Sequence, residues 1–389
     1  MIYLDNNATT RIDDAVLHAM LPFLREDYGN ASSLQHRMGR TAHQAIEQAR
    51  QSLAKYFGCS PHEIYFTSGA TESVNLVLRG IFDRYQSIGK HIITTKSEHK
   101  AVLTTLEGLE KKGAEITYLS VDANGNINLL DLESSIRKDT ILICLMHANN
   151  ETGIIHPIEE IAQIAIKNQV LFFSDTTQAI GKVQINYFSS GVDICCFSAH
   201  KLHGPKGIGG VFIRRKSRPI QIEPLITGGK QEKSLRGGTY NTPAIVGMGK
   251  AFEITNKNNI EVEKLRNYLE QRLTQEIEET IIHSQIASRL SNTTNILFKH
   301  VKSAELMPKL ANIAVSSGSA CVSGDRDPSH VLLSMGISPE DAQCSIRFSL
   351  SKYTTIEELD STINEIKSTV QKIRNDSPIW QLYKANLLT

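Results

Sequence analysis

The 389-residue sequence predicts an α/β protein, with a large domain on a mostly parallel sheet flanked by helices and a smaller α+β domain. Three observations lead there. Apolar runs of strand length alternate with longer stretches of helical periodicity. Each run ends in a polar or glycine-rich tip, and open parallel sheets bind their ligands at such strand ends. After about Thr255 the alternation gives way to long amphipathic helices around a single strand. The large domain is therefore placed at residues 14–255, and the smaller one at 1–13 joined to 256–389.

Taken in order, Leu4–Thr10 is a polar loop in which Asn6 and Asn7 either line a site or serve as turn residues. Helices are predicted over Asp13–Leu24 and Thr41–Phe57, the latter with Ala42, Ala45, Ile46, Ala49 and Leu53 on one face. The polar loop between them is long enough to reach a site. Glu63–Thr67 is a strand, followed by a Ser-Gly-Ala-Thr turn and a helix through Val74, Val77, Leu78 and Ile81. Further strands are expected at His91–Thr95, Ile141–Met146, Val170–Ser174, Val192–Phe197 and Gly210–Ile213. In the last third, Val262, Leu265, Leu269, Leu273 and Ile277 mark a long helix. Ile346–Leu350 reads as a strand, and Thr355 with Glu358 forms a capping box opening a final helix.

Composition narrows the function classes. A formal net charge of +1 argues against direct nucleic-acid binding. The N-terminus lacks a basic, apolar leader, and no apolar run reaches membrane-span length. Six cysteines without a C-x-x-C pair fit a reducing cytoplasm and offer no metal motif.

The chemistry centres on Ser198-Ala-His-Lys201, at the end of an apolar run and before a glycine-rich turn. A lysine partly desolvated at a strand end is a competent amine nucleophile. An ordinary surface lysine beside a turn would not explain Ser198, His200 and the glycines together, so the segment points to an anionic cofactor, pyridoxal 5'-phosphate. The turn at Ala70 and Thr71 would cradle a phosphate on free helix N–H groups, although an ordinary helix cap has the same composition. His99, at a strand-to-helix junction, can stack on a ring and move protons, or simply pack there. Asp175 follows an apolar strand and needs a partner, for which a pyridinium N–H is suitable. Gln178 can donate to a phenolate oxygen. Cys144, Cys195 and Cys196 lie inside apolar runs and read as small hydrophobes. Cys321 instead sits in a small, polar, glycine-punctuated segment, where a thiol is exposed and reactive if its pKa is lowered, or is an incidental surface cysteine.

Taken together, the motifs Tyr3–Thr10, Thr67–Glu72, Ser97-Glu-His99, Asn149-Asn-Glu151, Asp175-Thr-Thr-Gln178, Ser198-Ala-His-Lys201 and Ser317-Gly-Ser-Ala-Cys321 resemble, in order, those of group I cysteine desulfurases. These belong to the class V aminotransferases among fold-type I pyridoxal phosphate enzymes. One departure is Ala31, where that family usually has proline. The resemblance implies a seven-stranded-type sheet and a Schiff base at Lys201. It implies Asp175 at the ring nitrogen, Gln178 at the phenolate oxygen and His99 stacked on the ring. Thr71, Ser198 and His200, with the backbone near Ala70, would hold the phosphate. Thr239 would reach the phosphate in a neighbouring subunit, which requires a homodimer. Asn150 and Arg347 would position L-cysteine, the arginine by a two-point fork on its carboxylate. Cys321 would collect the sulfur as a persulfide and leave alanine. The implied acceptor is an iron–sulfur scaffold or another sulfur-accepting protein, including enzymes of thio-cofactor or tRNA thiolation.

Other readings belong to the same group or to none. A selenocysteine lyase, a cystine C–S lyase or a small-substrate aminotransferase would share most motifs, and their products tell them apart. A non-catalytic relative that kept the fold would have no cofactor absorbance. Trp380 and Tyr383 near the C-terminus either form a docking surface or pack internally.

Overall fold

The computed structural model describes residues 1–255, 259–317 and 327–387. The chain opens with β1 (Ile2–Tyr3), α1 (Asp14–Arg25) and α2 (Arg37–Phe57). Helix α2 begins four residues before the predicted Thr41, because His36 Nδ1 caps it by accepting from Gly39 N–H at 3.1 Å. There follow β2 (Ile64–Thr67), α3 (Ala70–Tyr85), β3 (His91–Thr95), α4 (Lys100–Glu110) and β4 (Glu115–Leu119). The short α5 (Leu129–Ser134) leads to β5 (Thr140–Cys144), α6 (Ile158–Lys167), β6 (Leu171–Asp175), β7 (Ile194–Ser198) and β8 (Gly209–Ile213).

These strands form a seven-stranded sheet in the order β2-β8-β7-β6-β5-β3-β4. Strands β7, β6, β5, β3 and β4 run parallel, and β8 is antiparallel to both of its neighbours. Both faces are covered, which explains why the strands read as continuous apolar runs. Alternate residues go to opposite cores. Phe172, Cys195 and Phe197 pack under α2, α6 and α7 (Thr242–Ile254), whereas Phe173, Ile194 and Cys196 pack under α3 and α4. Strand β4, unannounced in the sequence, is an edge strand with half-exposed residues and so lacks the apolar run that marks the others.

A third core gathers α8 (Ile260–Glu276), β9 (Thr280–Ile282), β10 (Thr293–Phe298), β12 (Ser345–Ser349) and α12 (Ile356–Asn375). Between β10 and β12 come α9 (Ser303–Leu306), β11 (Ile313–Ala314), α10 (His330–Ser334) and α11 (Pro339–Gln343), and α13 (Pro378–Lys384) closes the chain. Strands β9, β10 and β12 make a three-stranded antiparallel sheet. The N-terminus joins this unit, since β1 pairs in parallel with β11 and Leu4 lies in the same core. The capping box at Thr355 and Glu358 is formed as expected. Trp380 is buried, stacked on Tyr383 with Arg374 over its ring at 4.2 Å, so here the aromatic packs internally. No helix among the described residues is long and apolar enough to cross a membrane.

Candidate active site

The C-terminal ends of β3, β5, β6 and β7, with the β2–α3 turn, converge on a cavity of about 420 Å³. Its lining includes Ala70, Thr71, His99, Asn150, Asp175, Gln178, Ser198, His200, Lys201 and Arg347. Ten residues named from six separate stretches of sequence therefore meet in one place. Thr239 is exposed and lies outside, in an adjoining hollow that shares Ser68 and Gly207 with the cavity. Cys321 falls outside the described residues.

Each part of the wall has a local cause. Helix α3 starts at Gly69, whose φ of +156° and ψ of 178° suit glycine alone, and no side chain caps the helix. The helix's free N–H groups and its dipole are thus left for an anion. Gly209 on β8 lies so close that a Cβ there would stand 2.7 Å from Gly69 Cα, so the second glycine is needed for the turn to sit against the sheet. His99 caps α4, its Nδ1 accepting from Ala101 N–H at 3.1 Å. The ring proton of the neutral form is therefore on Nε2. Burial lowers the His99 pKa, with Asp175 opposing and Lys201 adding to the effect, so the neutral ring is the resting form at neutral pH.

Asp175 ends β6 and is largely buried, with Oδ1 accepting from Thr177 N–H at 2.9 Å. Lys201 Nζ donates to the backbone oxygens of Asn7 at 2.5 Å and Ala8 at 2.8 Å. His200 Nδ1 meets Thr9 Oγ1 at 3.0 Å, and burial lowers its pKa to about 4. Arg347 is almost wholly buried. Its Nη2 pairs with Asp5 at 2.6 Å and its Nη1 donates to Asn150 O at 3.1 Å, while Nε has no partner among the described residues. Below the floor, Glu98 is fully buried, and burial raises its pKa well above the usual carboxylate range. Its Oε1 accepts from Met146 N–H at 2.7 Å, which ties the floor to the segment after β5.

Two residues were not singled out by pattern. Asn7, open between turn and site in the sequence, lines the cavity and accepts from both Lys201 and Gln178 on its backbone oxygen. Lys182, seven residues past Asp175, donates to Gln178 Oε1 at 2.7 Å. Its only sequence signal was a lysine one helical turn after Gln178.

The donor set fits pyridoxal phosphate: an uncapped helix N-terminus beside Ser198, a carboxylate and an amine in one cavity, and a buried guanidinium with a donor to spare. The chain belongs to the class-V aminotransferase family, whose model matches residues 2–361. Its cofactor is pyridoxal 5'-phosphate. At the level of individual proteins, it is 43% identical over 387 residues to cysteine desulfurase IscS of Anaeromyxobacter sp. (strain Fw109-5), covering 98% of this chain and 96% of that one. A solved NifS-like protein is 41% identical with a TM-score of 0.89, covering 95% of this chain and 99% of its own. A structure of SspA in complex with cysteine is 36% identical with a TM-score of 0.82, covering 91% and 100%.

Proposed function

We propose that the chain works as a pyridoxal phosphate-dependent cysteine desulfurase, taking sulfur from L-cysteine and leaving L-alanine, with the roles assigned as follows. The convergence of Lys201, Asp175, His99, Gln178 and Arg347 on one cavity carries this reading. When bound, pyridoxal phosphate supplies a carbonyl for amines and a ring that draws electrons from the substrate Cα. Lys201 Nζ would hold the cofactor's carbonyl carbon and, as a free amine, would take the Cα proton of the substrate. Asp175 keeps the ring nitrogen protonated, and Gln178 donates to the phenolate oxygen. Thr71, Ser198 and His200, with the N–H groups at Ala70, hold the phosphate. Arg347 and Asn150 bind the substrate carboxylate. His99 Nε2 exchanges the proton of the substrate thiol.

Cys321 thiolate attacks the substrate sulfur. The new S–S bond forms as the Cβ–S bond breaks, and the electron pair left on carbon is protonated to give alanine. The other thiols support this choice of nucleophile. Burial pushes Cys59 up to about 12 and raises Cys144, Cys195, Cys196 and Cys344 as well. Residues 1–13 and 256–389 form the smaller domain carrying Cys321, in keeping with the core that Leu4 shares with α8 and α12. The enzyme acts as a cytoplasmic homodimer, with Thr239 completing the neighbour's phosphate site, and passes sulfur to a scaffold or another acceptor protein.

Two variants test the assignment. Lys201→Ala is expected to lose borohydride fixation of cofactor at position 201. Cys321→Ala is expected to keep cofactor absorbance and lose sulfur transfer from cysteine. A Cys321→Ala protein that desulfurates at the parental rate overturns the nucleophile, and keto-acid product in place of alanine overturns the reaction.

A further inference from the structure

Lys182 stands on the far side of Gln178 from the cofactor cavity. It lines a second cavity of about 370 Å³, which it shares with Lys201, His203, Asn292 and Lys352. Its two acceptors are neutral amide oxygens, Gln178 Oε1 at 2.7 Å and Asn7 Oδ1 at 3.2 Å. Burial, with Lys201 and Arg347 nearby, lowers its pKa to about 7. Holding an ammonium among neutral groups is costly, so its place calls for a reason.

The hydrogen-bond directions supply one. The amide oxygen of Gln178 only accepts, so Lys182 Nζ donates to it whether charged or neutral. A backbone carbonyl only accepts, so the atom facing Asn7 O, at 2.9 Å, must be Nε2. An amide anchored at one end can swing, and one anchored at both ends cannot. The second hydrogen of Nε2 is left for an acceptor in the cavity that Gln178 lines.

We propose that Lys182 is a positioning residue, locking the Gln178 amide so that its NH2 group faces the phenolate oxygen of the bound cofactor. This rests on the role given to Gln178 above. A donor on that oxygen favours its ionised form and weakens the hold on the proton that the chromophore releases as pH rises. Charges facing Lys182 are Lys201 from the turn after β7 and Arg347 from β12, with His203, Lys352 and Glu261 further round the same cavity.

The test is a pH titration of the visible absorbance of holoenzyme. Lys182→Met removes the donor and should move the transition upward by about one pH unit, the size expected for losing a hydrogen bond to a charged oxygen. Lys182→Gln keeps a donor without the charge and should titrate like the parent. In a Gln178→Ala background, Lys182→Met should add no further shift. Where Lys182→Met does not fold, Lys182→Ala takes its place. A parental titration in Lys182→Met, an equal shift in Lys182→Gln, or an undiminished shift in the Gln178→Ala background each overturns the proposal. Absence of any Lys201-bound chromophore in the parent would instead overturn the site reading itself.

Discussion

Asn7 uses every polar group it has. Its N–H donates to Ser349 Oγ, and its backbone oxygen accepts from Lys201 and Gln178. Its side-chain oxygen accepts from Lys182 and Asn292, and its amide donates to Asn150 O and Thr293 Oγ1. One buried residue thus ties the N-terminal strand, the reactive lysine and the β10 end together, and a buried network satisfied to this degree is rigid. Arg347 is held as tightly by Asp5 and Asn150 O. An ammonium cannot replace its planar fork, so Arg347→Lys should lower kcat/KM for cysteine by about 10- to 100-fold through lost charge-assisted bonding. Steady-state kinetics check this, and a parental kcat/KM would remove Arg347 from substrate binding.

At the scale of elements, the glycine-rich segment at residues 227–239, which leads into α7, is anchored by a buried ion pair. Glu232 is buried with φ of +47° and grips Arg50 of α2 with two bonds, at 2.7 and 2.9 Å. It also accepts from Phe66 N–H on β2 at 2.7 Å, while Arg50 lies over the Phe66 ring at 4.4 Å. The left-handed backbone at Glu232, Lys233 and Ser234 is tolerated because this pair holds it. Removing one partner strands the other charge, so Glu232→Ala should destabilise the fold by about 3–5 kcal/mol. Urea unfolding measures it, and a loss under about 1 kcal/mol would show that the pair is dispensable. Thr239 follows directly on this anchored segment, so the same variant should also disturb whatever Thr239 contacts.

For the whole molecule, buried histidines set an acid limit. Burial lowers His147 to about 3 and His156 and His283 to about 4, and His200 at the site follows. In the unfolded chain these rings take protons near 6.5. Between those values the unfolded state binds more protons than the folded one, so stability falls as pH drops from about 6.5 toward 4. Above 6.5 both states are neutral at these positions, and they contribute no slope. Thermal melts across pH 4 to 7 should show a falling Tm below about 6.5, and a flat profile would mean that these rings are not held neutral.

The sequence by itself determined the alternation of strand and helix, because burial on both sheet faces demands continuous apolar strands and so writes them plainly. It also determined which residue types stand at the strand ends. Lys201, Asp175 and His99 could be named from neighbouring residues because an amine, acid or imidazole at an apolar strand's tip needs a partner, whereas Arg347, in the middle of β12, was named only by the family resemblance. It could not show edge strand β4, whose half-exposed face mimics a loop, nor the start of α2, where a histidine rather than a usual capping residue takes the helix end. Only the tertiary structure decided the role of Asn7 and Lys182. Lys182 lies only four positions from Gln178, but the meaning of both residues depends on Asn7, whose bonds reach Gln178, Lys182 and Ser349 at 171, 175 and 342 positions' remove, and no local pattern records such distances.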